Sequence, residues 1–462
     1  MNSPIDRKLP LKGREISLDS SAISAEYSAR LLRSLGATVE TRGDFSGLDV
    51  ARDWASSGLV SLTGYPTTPM QGPAAIPSAA RGALDALKLL AGQNKLVGLD
   101  GAALLSERAA FLGLERQGQI SANGSCRLLS ATDGWIALNL ARDTDWSLLP
   151  AWLESPVLTW STVTRKVRQK PVSLLLERGR LLGLPVAPTA TACASSESWY
   201  SIAAQAAPAL ANRGLHPLVV DLSSLWAGPL CTHLLSLAGA RVIKVESVKR
   251  PDGARRGNTG FYDLLNAGKQ SVAFDLSADS GRGQLLSLLA KADIVLEGSR
   301  PRALQQLGID ARALVEQVPG LTWISITGYG RADPMANWVA FGDDAAAAAG
   351  VTAATATPPL FCGDALADPL AGIHAAFAAM AFWQGGGGVL VDISLRDIAA
   401  HCLSFYPGVN RGLVAMRRGE WRLVYNDCEL EVKFPAMRRP ASPAVAFGSD
   451  TQAILNEFHI PC

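Results

Sequence analysis

From Pro217 onward the chain alternates short apolar runs with helical stretches at a spacing that few architectures other than a layered α/β sheet accommodate. Residues 218–222 read as a strand, 229–238 as an amphipathic helix stopped by Gly239, and 242–245 as a second strand. Residues 271–276, 294–297 and 322–327 are further short strands, with helical stretches between most of them. This alternation predicts an α/β fold built on a doubly wound, parallel, Rossmann-like sheet. Ligands of such sheets bind at the carboxyl ends of the strands. Here those ends carry Trp226, Ser277, Gly298 to Arg300 and Gly328 to Gly330.

Downstream, Ala367-Asp368-Pro369 follows a Gly-containing loop and opens a long helix of small residues. An aspartate at that position meets free backbone N–H groups and the positive end of the helix dipole. It is therefore expected to stay ionised and to sit near an anionic or carbonyl ligand. Asp is also a preferred N-cap, so the tripeptide alone leaves an ordinary helix cap as the competing reading.

Five motifs resolve that choice. They are AGPLCTHLLSLAGARVIKVE, the N-x-x-K-x-S-V-x-x-D-L turn from Asn266, ADIVLEGSRP, SITGYG and ADPLAG. In this order over residues 217–400 they resemble the family III CoA-transferases, the group of formyl-CoA transferase, the carnitine CoA-transferases and alpha-methylacyl-CoA racemase. The resemblance implies that fold, with a smaller α+β domain, and makes Asp368 the catalytic nucleophile. A carboxylate in that role splits CoA exchange into easier acyl transfers through an aspartyl anhydride and an aspartyl-CoA thioester. Backbone donors of a neighbouring Gly-rich loop would hold the oxyanion. CoA contacts are expected at Trp226, Ala227, Phe274, Asp275, Leu276, Ser277, Gly298, Ser299, Arg300, Phe341 and Gly342. The chain departs from the family at Ser247 and Gln306, where arginines commonly meet the CoA phosphates. Lys249, Arg250, Arg300 and Arg302 are the substitutes at hand. Trp226 is either an adenine-stacking surface or core, and Gly385 to Gly388 either a lid or a plain linker.

The first half repeats the second in worn form. ARLLRSLGATVE echoes THLLSLAGARVIKVE, and the stretch from Trp54 echoes the one leading into Asp368. A repeat of this length indicates a duplicated unit. Ile76-Pro77 stands where Asp368-Pro369 stands, so the first copy has no nucleophile. Residues 115–190 carry the Asp133-Gly134 hairpin signal and a helix with Trp146, Leu149 and Trp152, and resemble the family's small domain. The expected organisation is a degenerate large-domain-like module at 1–110, a small domain at 111–190, a linker with a connecting helix at 191–216, and the large domain at 217–462. Its end resembles the family's closing turn and helix. The small domain of the first module would close over the nucleophile of the second, giving an intrachain pseudo-dimer or a homodimer.

Composition narrows the partners. A net charge of +2 over 462 residues implies no nucleic-acid field. Seven Cys without CxxC spacing and five scattered His give no metal or disulfide framework. No apolar run approaches the ~20 residues of a membrane span, and the polar N-terminus shows no signal peptide. The expectation is a cytoplasmic enzyme acting on acyl-CoA and carboxylic acids, with no permanently bound cofactor and CoA or acyl-CoA as substrate. Two alternatives stay open: an acyl-CoA racemase, which lacks its histidine because Phe341-Gly342 stands there, and a non-catalytic CoA-binding homologue.

Overall fold

The computed structural model describes residues 9–18, 22–41, 46–92, 95–157, 159–189, 198–209, 216–408 and 410–461. The first unit begins with a βαβ turn: β1 (Glu15–Leu18), α1 (Ile23–Ser34) and β2 (Thr38–Thr41), with β1 and β2 parallel. It continues through α2 (Ile76–Ala91) to α3 (Glu107–Leu112). Next comes a three-stranded antiparallel sheet of β3 (Cys126–Ser130), β4 (Trp135–Asn139) and β5 (Val186–Pro188). Helices α4 (Asp145–Leu153) and α5 (Val172–Leu181) cover one face of it. The Asp133-Gly134 turn joins β3 to β4 as its sequence predicts, and the Asp133 carboxylate accepts the Val172 N–H at 2.7 Å.

Strand β6 (Ser201–Gln205) occupies part of the stretch expected to hold a connecting helix. That expectation is corrected for 201–205; residues 190–197 and 210–215 lie outside the described residues. Alternation there is weak, and β6 is recruited by an open sheet edge rather than by its own propensity.

The large sheet contains β6, β7 (Leu218–Asp221), β8 (Arg241–Ser247), β9 (Gln270–Phe274), β10 (Ile294–Glu297), β11 (Thr322–Thr327) and β12 (Val389–Ser394). Their spatial order is β9-β8-β7-β10-β11-β12-β6, parallel throughout except for the antiparallel edge β6. This is the doubly wound order in which the sheet reverses direction between β7 and β10, opening a crevice at their carboxyl ends. Runs such as LVV, IVLE and TWISIT are apolar on both sides because both faces are covered. Val219, Ile294 and Ile324 join one core and Val220, Val295 and Trp323 the other, the period-2 alternation of strands.

The first core is centred on α8 (Ala367–Gln384), which follows α7 (Gly342–Ala348) and is buried on almost every side. It packs on α6 (Ala227–Leu237), on β11 and on α2 of the first unit, while α1 packs on α2. Small residues make this possible. A Cβ on Gly372 would stand 2.6 Å from the Ala227 carbonyl oxygen, and one on Gly82 2.4 Å from that of Ser24. Both α2 and α8 are preceded by an alanine in the left-handed region, Ala74 at φ 52° and Ala365 at φ 41°.

Two features were not anticipated. Residues 413–431 form a three-stranded antiparallel sheet lying against helix Gly47–Ser56. The segment after it crosses the first unit, where Arg438 forks onto Glu107. The closing helix that the resemblance implied is α9 (Thr451–Glu457), which packs back against β9.

A buried polar bond also crosses the two halves. His374 on α8 donates from Nδ1 to the Leu370 carbonyl at 2.7 Å, so its Nε2 accepts the Tyr27 hydroxyl of α1 at 2.8 Å. Burial pushes His374 down to about 3, keeping it neutral. Replacing Tyr27 by Phe strands that acceptor and is expected to cost about 1–3 kcal/mol, with unfolding of both halves in one transition. Two separated transitions, or no loss of stability in urea, would contradict this account of the shared core.

Candidate functional site

The crevice between β7 and β10 rests on a buried charge network. Lys269, the lysine of the N-x-x-K turn, reaches the Asp221 carboxylate at 3.2 Å, Thr232 at 2.7 Å and its own motif partner Asn266 at 3.1 Å. Lys244 on β8 pairs with Asp252 at 3.0 Å and reaches the Ser223 carbonyl at 2.8 Å. Burial holds Lys269 down at about 8, and its two lysine partners keep Asp221 at about 2. These groups fix the loop after β7, where Leu225 sits at φ 70° just before Trp226. They shape the crevice and leave little of themselves exposed.

Asp368 occupies the second position of α8, and Leu366 is the N-cap. It is therefore not the helix cap that its residue type allowed. Its carboxylate takes the backbone N–H of Gly342, at the start of α7. Gly342 has no side chain because a Cβ there would lie 2.7 Å from Asp368 Oδ2 and 2.2 Å from the Ala365 carbonyl oxygen. Asp368 is half-buried while Asp343, Asp344 and Asp364 around it are buried.

The neighbouring acids hold the turn together. Asp343 accepts the N–H of left-handed Ala365 at 2.8 Å. Asp344 accepts the Phe341 N–H at 3.0 Å and the Asn139 amide, from β4, at 3.1 Å. Asp364 is forked by Arg108 of α3 at 2.7 and 2.6 Å, and the Arg108 guanidinium stands 4.8 Å over the Trp226 ring. Burial raises Asp368 to about 6, against the pull of Arg108, and raises Asp344 to about 8. Asp343 is raised as well, by burial and by the Asp364 charge. Desolvation outweighs the helix terminus here, so the aspartate expected to stay ionised does so near neutrality but not in mild acid.

Other expected contacts divide. Trp226 is 3 % exposed, edge-on to Phe261 at 5.6 Å and under Arg108, so it is packing and not an adenine platform. Phe274 is buried in the second core. Asp275, Leu276 and Ser277 form the turn after β9, where Lys249 reaches Ser277 at 2.5 Å. Gly298, Ser299 and Arg300 follow β10, with Gly298 beside Ser223, and Ala227 opens α6. Phe341 and Gly342 are brought to Asp368. Gly385 to Gly388 is not at the carboxylate; its carbonyls at 386 and 388 accept the N–H groups of Ala209 and Ala206, both at 2.8 Å, making it a fixed connector.

A cleft of about 1040 Å³ opens between α4, α5 and the loops after β10 and β11. Arg142, Arg180, Arg300 and Arg302 line it, against Glu177 and Asp333. Arg180 stacks 3.6 Å from the Trp338 ring centroid. Burial and the nearby charges of Arg302, Arg142 and Arg250 push Arg300 down, the signature of guanidinium groups crowded without enough counter-charge. The wall residues Asn337 and Trp338 lead directly into Phe341 and Gly342. Lys249 lies outside the lining. The motifs did not reveal Arg108, Asn139, Arg142 or Arg180, although an arginine inside the apolar run AALLSERAAFL was a legible signal for the first.

Known proteins match the same stretch. The sequence model described as CoA-transferase family III covers residues 217–420. That segment is a family III CoA-transferase unit. Succinyl-CoA–D-citramalate CoA-transferase of Chloroflexus aurantiacus is 32 % identical over 193 residues, 39 % of this chain and 48 % of that protein. Acetyl-CoA:oxalate CoA-transferase of Acetobacter aceti is 30 % identical over 194 residues, 39 % and 50 % of the two chains. A CAIB/BAIF family protein of Brucella suis is a structural neighbour at TM-score 0.38 and 28 % identity, over 41 % of this chain and 54 % of that one. The chain spans about half the length of the curated relatives it matches. Among the described residues no helix is long and apolar enough to cross a membrane.

The raised acids make stability fall with pH. Asp344 keeps its proton in the folded chain up to about 8 and releases it near the usual ~4 when unfolded. Its contribution is present below pH ~4 and is lost as pH rises through 8. Asp344→Asn should therefore show a smaller fall in melting temperature between pH 6 and pH 9 than wild type. A fall as large or larger would refute protonation at this site.

Proposed function

We propose that the protein moves CoA between an acyl-CoA thioester and a free carboxylic acid, with Asp368 as the nucleophile. The observation that carries this reading is a half-buried carboxylate, fixed by one backbone N–H at a helix start and surrounded by acids that are themselves buried. A carboxylate oxygen of Asp368 attacks the thioester carbonyl, and the CoA thiolate leaves, giving a mixed anhydride. The thiolate then attacks the aspartyl carbonyl and releases the first acid as its carboxylate. The acceptor carboxylate attacks the aspartyl-CoA carbonyl and expels the CoA thiolate, giving a second mixed anhydride; the thiolate then attacks the acceptor's acyl carbonyl, forming the new acyl-CoA and freeing the Asp368 carboxylate. Each step exchanges one acyl–oxygen or acyl–sulfur bond for another.

The arginine cleft suits the phosphates of CoA, taking over from the positions held here by Ser247 and Gln306. Arg142 and Arg180 come from the 111–190 unit and Arg300 and Arg302 from the 217–462 unit, which supports an intrachain pseudo-dimer in which the small unit closes the site. Loss of a charge-assisted phosphate contact is worth about 1.5–3 kcal/mol. Arg302→Ala is thus expected to weaken CoA binding by roughly tenfold or more, and less so in high salt. Unchanged binding would move the phosphates elsewhere.

Incubation with succinyl-CoA or acetyl-CoA, followed by borohydride or hydroxylamine trapping and intact mass, should place an adduct on the peptide containing Asp368. An adduct on Cys362 would overturn the assignment. Asp368→Asn removes the nucleophile, so transfer should drop by several powers of ten, while CoA still binds and stability above pH 6 is maintained or improved. The nucleophile must be ionised, so adduct formation should rise with pH through about 6. A midpoint near 4 would contradict the burial described above.

A further inference from the structure

Arg108 lies outside the segment that matches known transferases, in a unit with no carboxylate of its own at the corresponding helix start. Yet it meets the second unit at two places. Its Nε and one Nη fork onto Asp364, whose side chain is fully buried, and its plane covers Trp226. Asp364 stands one residue before left-handed Ala365 and four before Asp368, so the fork fixes the turn from which the nucleophile projects. Trp226 heads α6, the helix against which α8 packs. One guanidinium thus ties the strand end at the crevice to the start of α8.

We infer that Arg108 is a positioning residue for Asp368, supplied by the first unit, and that it places a positive charge at the turn from which Asp368 projects, among three buried acids. This rests on the reading of Asp368 as nucleophile and adds to it a division of labour between the halves. The groups facing Asp368 are Asp343 from α7, Asp364 from the preceding loop and Arg108 from α3. Asp344 stands behind Asp343. Elsewhere on the elements packed against α8, His233 on α6 is held neutral by burial and by Arg438. Of the groups that act on Asp368, Arg108 is the cation. Its carboxylate fork is one that lysine reproduces in charge but not in geometry. The first unit is more than scaffolding: it supplies the cation that the carboxylate cluster lacks.

The test reads ionisation directly. A water-soluble carbodiimide with an amine labels accessible carboxyls, and peptide mass spectrometry follows Asp368 against pH. Wild type should give a midpoint near 6. Arg108→Gln should move it upward by about one unit, the scale of one opposite charge at contact range. Arg108→Lys should move it much less. Because Arg108→Gln strands the Asp364 charge, the double variant Arg108→Gln/Asp364→Asn serves where the single one does not fold. There the midpoint should also rise, since Arg108 acts on Asp368 more strongly than Asp364 does. Folded variants with the wild-type midpoint, or a lysine variant shifted as far as the glutamine one, would overturn the inference. Labelling needs no turnover, so absence of an acyl adduct sinks the transferase reading without touching this result.

Discussion

The constraint on which everything else depends is the burial of α8 on nearly every side. A helix with no polar face cannot stop at a sheet; it must be enclosed. The second unit supplies part of the enclosure through α6 and β11, and the first unit supplies α2. Alanines and Gly372 let these helices approach closely, so dispersion contacts are dense and the geometry is narrowly defined. Asp368 inherits that rigidity because it sits in the first turn of the enclosed helix. The proposed nucleophile is positioned by packing made over the whole molecule.

Enclosure also sets the chemistry. Four carboxylates within a few residues of two helix starts would repel one another in a dry environment if all were charged. The structure meets this by letting Asp343 and Asp344 retain protons more readily, by pairing Asp364 with Arg108, and by leaving Asp368 less buried than the other three. A carboxylate raised to about 6 is a better nucleophile than one at its usual value, and it is still mostly ionised near neutrality. Burial and a single compensating cation achieve this balance together, and neither does so alone.

The sheet and the helix starts were legible because their signals are local. Apolar runs of four to six residues, Gly stops and the Asp133-Gly134 turn each act within a few positions. The Arg417–Tyr425 region carried a signal of the same kind that went unread: Arg418 and Gly419 at φ 51° and 84° form the hairpin turn of an alternating stretch. Strand β6 was illegible for a different reason, since it exists only because β12 offers an open edge. The burial of Trp226 and Phe274 was likewise beyond a motif. Residue type marks an aromatic at a strand end, but tertiary packing decides which face it takes. Arg108 and Asn139 lie more than 200 residues from the acids they meet, and no periodicity links such pairs.

That distance is itself informative about how the two halves relate. The halves share the βαβ turn, the left-handed alanine and the buried helix, yet only one keeps a carboxylate at the helix start. On the proposed reading, a unit without its own nucleophile is free to change wherever such a nucleophile would need support. It remains bound wherever it supports the other half's. Arg108 on Asp364, Asn139 on Asp344 and Tyr27 on His374 are contacts of the second kind. Each crosses between the halves and ends on or beside α7 or α8. Beside those acids and that imidazole the first half therefore presents a cation, an amide and a hydroxyl, each adding a hydrogen bond to a buried polar group of the second.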